Sequence, residues 1–180
     1  MLNRSRFAHA DVWHLAGPMI LSNLTIPVLG MVDTAVMGHL GEPHYLGAVA
    51  IGALIFSFIY WAFGFLRMGT TGQIAQAHGR DNQDETRAGF ARAAALALCL
   101  ALLVIVVQTP VHWLAMSLLD ASAEVEHYAG EYFFVRIWSA PATLLNYVLI
   151  GWFLGMQNAR GPLYLLLVIN ITNILLDLWF

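Results

Sequence analysis

The feature that most constrains this chain is the length of its uncharged segments. Residues 12–32 contain no Asp, Glu, Lys or Arg, and a stretch of about 20 such residues lets an α-helix cross some 30 Å of hydrocarbon. Similar segments follow, and only 11% of all residues are charged, against about 25% in an ordinary soluble domain. A soluble fold could not bury so much apolar surface. The sequence therefore predicts an all-α polytopic membrane protein.

Helix breakers and charged loops divide the sequence into candidate spans. We expect these spans at about residues 12–38, 46–77, 88–110, 128–156 and 162–180. Ser122, followed closely by two glutamates, predicts a helix start before the fourth span. Within that span, Gly151 and Gly155 form a GxxxG pattern, which predicts close helix packing.

The arginines predict how the spans are oriented. The chain has eight arginines and no lysine. Six of them lie in loops or at helix ends: Arg4, Arg6, Arg80, Arg87, Arg92 and Arg160. Two precede the first span, three flank the loop between spans two and three, and one lies between spans four and five. The other two loops carry no arginine. The positive-inside rule therefore predicts a cytoplasmic N-terminus, with the first and fifth spans both running outward.

Asp33 lies near the predicted outer end of the first span. An ionised carboxylate inside a membrane helix costs about 2.5 to 3.5 kcal/mol on insertion scales, so it is expected to face protein or water and to mark function. Pro18 and Pro27 each leave a carbonyl of the same helix without its donor, which predicts points of bending. Thr34 shares a polar stripe with Pro27, beside Asp33.

The fifth span carries a second polar set. Asn170, Asn173 and Asp177 are spaced i, i+3 and i+7, so they project from one face of a helix. Asp177 and Asp33 are predicted at similar depth in the outer half of the membrane. If the first and fifth spans pack side by side, the two acids and Asn173 would enclose a small pocket for a proton or a cation such as sodium.

Two arginines within the spans offer a structural alternative. Each acid could be neutralised by a fixed ion pair, with Arg67 or Arg136 as the partner. Arg136 is expected near the depth of the acids. Arg67 is expected nearer the inner half, where its side chain can reach the headgroups. On this interpretation the asparagines only form hydrogen bonds between helices.

Several other classes of function are disfavoured. The chain has no basic patch of the kind that nucleic acid requires. Its histidines show no metal-ligand spacing, so neither a metal site nor a cofactor is expected, and its single cysteine, Cys99, cannot form an intrachain disulfide. Two intramembrane acids would suit an aspartyl protease. However, neither MVDTAV nor LLDLWF has the expected GxGD surroundings, and we do not expect an enzyme.

Several longer motifs resemble those of one transporter family. The motifs are VDTAVMGHLG, FLRMGTTGQIAQAHG, RIWSAP, and the run from GWFLGMQNARGP to NITNILLD. They resemble the DinF-type branch of the multidrug and toxic compound extrusion (MATE) transporters. The resemblance implies a monomeric twelve-helix exporter of two six-helix lobes in the bacterial cytoplasmic membrane. Residues 1–180 would then be the N-terminal lobe without its sixth helix.

The resemblance also implies roles for individual residues. Asp33, Asn173 and Asp177 match the family's ion-coupling residues, Pro18 matches the proline at which the first helix bends, and Asn146 belongs to the same network. Entry of a proton or sodium ion would bend that helix and release an amphipathic organic cation or drug outward. The alternatives are a flippase for a lipid-linked precursor and a membrane scaffold without transport activity.

Overall fold

The structure is a computed structural model that describes residues 43–119 and 122–179, with positions 17 and 20, but not the side chains of residues 43, 177 and 178. Helices make up almost all of these two ranges. They are α1 (Pro43–Ala62), α2 (Phe65–Gly79), α3 (Gln83–Val106), α4 (Gln108–Leu118), α5 (Ala123–Arg136), a 3₁₀ turn (Ile137–Ser139), α6 (Ala140–Gly155) and α7 (Arg160–Trp179). Apart from positions 17 and 20, the predicted first span lies outside the described residues.

Three of the described helical segments are long and apolar enough to cross a membrane. They are His44–Gly79, Gln83–Val106 and Ala123–Gly155, and a shorter apolar helix covers Arg160–Leu176. Large apolar side chains such as Trp61 face outward from these segments, as is expected where lipid rather than water surrounds a helix. The predicted fold class, an all-α polytopic membrane protein, is confirmed.

Two of the long segments are interrupted near their middle. Between α1 and α2, the amides of Phe63 and Gly64 donate to carbonyls three residues earlier, which forms a tight turn. Between α5 and α6, the 3₁₀ turn precedes Pro141. Proline has no amide hydrogen, and its ring collides with the carbonyl four residues earlier, here that of Ile137. The sequence predicts continuous spans here, so both interruptions are additional findings.

The two interrupted segments lie parallel to each other. A Cβ on Gly47 in α1 would lie 3.4 Å from the Cγ2 atom of Val125 in α5. Further along, a Cβ on Gly155 in α6 would lie 2.7 Å from the Cβ atom of Ile74 in α2. Residue numbers therefore increase in the same direction on both sides of the contact. α1 packs mainly on α5, and α2 packs mainly on α6.

α3 runs back between these segments and packs on α2 and α6. Its start is capped by Asn82, whose Oδ1 accepts the Glu85 amide at 3.0 Å. Its end lies at Val106, four residues before the predicted end at position 110, because Pro110 cannot donate to the Val106 carbonyl. The helix α4 then follows after a single residue.

Small and aromatic residues hold the bundle together. The central core is formed by α1, α3, α5, the 3₁₀ turn and α6, with Leu66 from α2. Its largest fully buried side chains are Phe56, Phe133, Ile137, Leu144 and Val148. The GxxxG pattern lies where α6 approaches α2 most closely. A Cβ on Gly151 would lie 2.6 Å from the carbonyl oxygen of Arg67. The prediction of close packing at Gly151 and Gly155 is confirmed.

Candidate functional site

The structure describes only part of the predicted ion site. Asp33, Thr34, Pro18 and Pro27 lie outside the described residues, and so does the side chain of Asp177. Whether the two acids face each other therefore stays a prediction. The described part consists of polar residues on α6 and α7 and of Arg136 at the end of α5.

The asparagines of α7 differ in their surroundings. Asn170 is only 6% exposed, so the lobe covers it. Asn173 lies one turn further along and is exposed. Their spacing predicts that they share a face of the helix, yet in the structure that face is covered at Asn170 and open at Asn173. Within the polar stripe of α7, Asn170 is therefore the described residue that lies inside the lobe.

Asn146 on α6 lies close to the level of Asn170. Asn146 shares a helical stripe with Phe153, and the ring of Phe153 occupies the place that a Cβ on Gly161 would take at the start of α7. Because α7 runs back along α6 from this point, Asn146 and Asn170 lie within about 3 Å of the same level at 1.5 Å per residue.

The Oδ1 atom of Asn146 is buried and has no hydrogen-bond partner among the described residues. A buried acceptor without a donor is costly, by about 1 to 3 kcal/mol. A bound cation or a protonated carboxyl group would satisfy this oxygen. The Asn146 oxygen is therefore a candidate acceptor for a cation or for a protonated carboxyl group.

Arg136 contacts aromatic side chains. Its guanidinium donates a hydrogen bond to the hydroxyl of Tyr132. Its Cζ atom lies 5.3 Å from the centroid of the Tyr132 ring and 5.4 Å from that of the Phe56 ring. Both distances are within the range of cation–π attraction. The alternative ion pair between Arg136 and Asp33 or Asp177 involves side chains outside the described residues, and Arg67, the other candidate partner, is exposed on α2.

A polar groove lies between α2 and α3, with a volume of about 550 Å³. On α2 it is lined by a stripe spaced i, i+4, i+7 and i+11: Gly69, Gln73, Gln76 and Arg80. On α3 it is lined mainly by Glu85, Arg92, Ala93 and Leu96. Our interpretation of the sequence missed this groove, although the spacing on α2 was visible. We call it the α2–α3 groove.

Charged side chains occupy one end of the α2–α3 groove. Arg92 forms a hydrogen-bonded ion pair with Glu85, and both side chains remain accessible, at 62% and 45% exposure. Arg80 lines the same end from α2. Within residues 43–119 and 122–179, no group of three or more His, Cys, Asp or Glu side chains could hold a metal ion.

Apolar spans that run parallel and antiparallel to one another and meet at small residues define a polytopic membrane protein. Comparison with known families gives the particular class. A family model described as MatE matches residues 18–179. The chain belongs to this family of membrane transporters, so the recognised family and the expected absence of an enzymatic role are confirmed at the level of the family.

Three bacterial relatives illustrate the match. The chain is 48% identical over 93% of its length to DNA damage-inducible protein F of Escherichia coli, covering 37% of that protein. It is 27% identical over 89% of its length to a probable multidrug resistance protein NorM of Rhizobium meliloti, covering 34% of it. It is 34% identical over 46% of its length to multidrug resistance protein PmpM of Pseudomonas aeruginosa, covering 17% of it.

The chain thus spans about a third of the length of the two relatives that it matches along most of its own length. No solved structure matches it.

Proposed function

We propose that this chain forms most of the N-terminal lobe of a cation-coupled antiporter that exports amphipathic organic cations or drugs. The observation that carries the proposal is the family match over residues 18–179, which includes Asp33, Asn173 and Asp177. The NorM and PmpM relatives are named as multidrug resistance proteins, which supports substrates of this class. An apolar, aromatic lobe with few charges favours amphipathic molecules over strongly polar ones.

The coupling ion, a proton or Na⁺, binds at Asp33, Asn173 and Asp177. The buried Asn170, on the same helix as Asp177, and the buried amide oxygen of Asn146 on α6 support this location. Thr34 and Arg136 belong to the surrounding network. A ligand shifts a conformational equilibrium only if it binds the two states with different affinity. Neutralisation of a desolvated carboxylate supplies that difference.

Binding of the ion bends the first helix at Pro18, with Pro27 as a second weak point. The cavity then changes shape, and the substrate is released outward. The protein lies in the bacterial cytoplasmic membrane with its N-terminus inside and acts as a monomer. The six arginines in loops or at helix ends support this orientation through the positive-inside rule.

The test replaces each acid by its neutral isostere in the full-length protein. We expect Asp33→Asn and Asp177→Asn each to reduce drug efflux from cells by about tenfold or more, which corresponds to 1.4 kcal/mol or more of coupling. Expression and the thermal unfolding midpoint should stay unchanged. Asp84→Asn is the matched control, because Asp84 is exposed in the first turn of α3. Full efflux by both acid variants would contradict the proposal.

A second measurement identifies the ion. Addition of substrate to purified full-length protein should release protons if H⁺ couples transport. The same release should fall as sodium is added if Na⁺ competes for the carboxylates. Absence of proton release, together with no effect of sodium on substrate affinity, would exclude both ions at this site.

A further inference from the structure

The α2–α3 groove changes in polarity along its length. At one end, Phe65 on α2 and Leu96 on α3 line it, and they are 53% and 48% exposed. At the other end it is lined by Gln76 and by the three charged side chains of Arg80, Glu85 and Arg92. The groove is therefore apolar towards the centre of the span and charged towards the loop that joins α2 to α3.

The dimensions of the groove correspond to one leaflet of a bilayer. α2 has 15 residues, so it rises by about 22 Å at 1.5 Å per residue. One leaflet, with its headgroups, is about 20 to 22 Å thick. Phe65 follows the interruption in the middle of its segment, and Arg80 follows the end of α2. The apolar end thus lies near the bilayer centre and the charged end near the headgroups.

The charged end contains groups of both signs. Arg80 and Arg92 supply guanidinium groups, which bind phosphate through paired N–H donors. Glu85 supplies a carboxylate that remains 45% exposed beside Arg92. A phosphate ester that also carries an ammonium group matches this set. The phosphate accepts hydrogen bonds from the arginines, and the ammonium donates to the glutamate.

We propose that the α2–α3 groove binds a phospholipid with a phosphoethanolamine headgroup, its phosphate between Arg80 and Arg92, its ammonium at Glu85 and an acyl chain along Phe65 and Leu96. A wholly anionic lipid would bring no partner for Glu85. A choline lipid presents a methylated nitrogen that cannot donate a hydrogen bond. A small phosphate compound would leave the apolar end of the groove uncovered.

This proposal goes beyond the transport function and requires only that the chain lies in a membrane. Its test therefore measures lipid binding directly, without efflux. Loss of efflux in the Asp33 and Asp177 variants has no bearing on it, and a lipid result has no bearing on ion coupling.

The experiment uses purified full-length protein from which lipid has been removed. Phosphatidylethanolamine, phosphatidylglycerol or phosphatidylcholine with identical acyl chains is added, and native mass spectrometry gives the ratio of lipid-bound to lipid-free protein. We expect the ethanolamine lipid to bind most tightly. The double variant Arg80→Gln/Arg92→Gln should weaken its binding by about tenfold, since two charge-assisted hydrogen-bond donors are lost.

Two further variants make the assignment specific. Arg87→Gln is the matched control, because Arg87 is exposed on α3 and does not line the groove; it should bind lipid as the unmodified protein does. Glu85→Gln should abolish the preference for ethanolamine over glycerol headgroups while keeping phosphate binding. Should the double variant fail to fold, Arg80→Gln alone serves, since no ion pair of Arg80 is found within the described ranges.

The outcomes separate clearly. Weaker binding in the arginine variants together with loss of headgroup preference in Glu85→Gln supports the proposal. Equal binding of all three lipids by the unmodified protein overturns it. Unchanged binding in Arg80→Gln and in the double variant also overturns it, because the lipid then binds elsewhere on the protein.

Discussion

Gly151 is the residue that sets how closely α6 approaches α2. With no side chain at this position, the carbonyl of Arg67 and the side chain of Thr70 lie against the backbone of α6. Helices in a membrane gain little from the hydrophobic effect on association, so they depend on such van der Waals contact. Close packing at this point joins the second halves of the two long segments, α2 and α6.

We predict that Gly151→Ala destabilises the protein. The new Cβ would lie 2.6 Å from the Arg67 oxygen and 2.9 Å from the Thr70 Cβ, so α2 must shift. Overpacking of this kind costs about 1 to 3 kcal/mol, which should lower the thermal midpoint of the purified protein in size-exclusion assays. Gly72→Ala is the control, because nothing lies within 4 Å of its new Cβ. Equal midpoints for the two variants would contradict the packing argument.

Arg136 is held by aromatic rings among the described residues. Its planar guanidinium lies near the rings of Phe56 and Tyr132 and donates to the Tyr132 hydroxyl. Phe56 is almost fully buried and stacks on Phe133 at 5.3 Å between centroids. The arginine therefore joins α5 to α1 at the end of α5.

Substitution of Arg136 distinguishes stacking from an ion pair. A lysine keeps the charge but loses the planar group that stacks on aromatic rings. If stacking dominates, Arg136→Lys and Arg136→Gln should both lower stability, by about 0.5 to 2 kcal/mol. If a carboxylate is the main partner, the lysine variant should remain close to the unmodified protein while the glutamine variant is much less stable. Thermal midpoints of both variants decide between them.

At the scale of helices, proline determines where α5 ends and α6 begins. Pro141 lies at the start of α6, and the three preceding residues form the 3₁₀ turn. The break follows from covalent chemistry, because the missing amide hydrogen cannot be supplied by any neighbour.

We predict that Pro141→Ala extends the α-helix through the 3₁₀ turn. The new amide can donate to the carbonyl of Ile137, so amides of residues 137–142 should exchange with deuterium more slowly. Pro162→Ala is the matched control, since Pro162 lies in the first turn of α7, where an amide has no helical acceptor. Exchange around position 162 should not change. Equally fast exchange in Pro141→Ala would show that packing, and not proline, maintains the turn.

Local signals in the sequence predict some element boundaries and miss others. α5 starts at Ala123, directly after Ser122, as the serine and the following glutamates predict. The Ser122 side chain accepts no capping hydrogen bond, and Glu124 and Glu126 lie in the first turn, where acidic groups are favoured by the helix dipole. The interruption at Phe63–Gly64 was not predicted. It contains no proline, and a glycine inside an apolar run is compatible with an unbroken helix. Its position depends on packing between segments that are distant in sequence.

The same limit applies to the site. The spacing of Asn170 and Asn173 predicts a common face, but only the assembled lobe shows that one is covered and the other open. The α2–α3 groove needs two helices that run in opposite directions. Its stripe on α2 could be found from the sequence, whereas the pairing with Glu85 and Arg92 required the structure. Periodicity identifies faces of helices, and packing decides which faces meet.

On the scale of the whole molecule, the two interrupted segments are parallel neighbours although they are separated in sequence by α3 and α4. Such an arrangement requires that the intervening helix α3 cross in the opposite direction. It also brings Gly47 next to Val125 at one end of the bundle.

We predict that Gly47→Cys and Val125→Cys form a disulfide in a Cys99→Ala background. The Cβ position of residue 47 lies 3.4 Å from a methyl carbon of Val125. The sulfur of a cysteine at position 125 can take the place of such a γ carbon, which brings it within reach of a cysteine at position 47. After oxidation, mass spectrometry should show that the two thiols resist alkylation until they are reduced. The control is the pair Gly47→Cys and Asn158→Cys, whose thiols should still react with the alkylating reagent after oxidation. The reverse pattern would indicate an antiparallel arrangement.

The two interruptions lie near the same level, and the hydroxyls of Tyr60 and Ser139 are 3.3 Å apart between them. α1 pairs with α5, and α2 pairs with α6. The described lobe therefore contains two helix pairs, one on each side of the level at which both long segments are interrupted. A tilt of one helix pair relative to the other at this level breaks few backbone hydrogen bonds, since the regular helical pattern is already absent at the two interruptions. We therefore expect the α2–α6 pair, on which the unbroken α3 packs, to tilt as a unit relative to the α1–α5 pair.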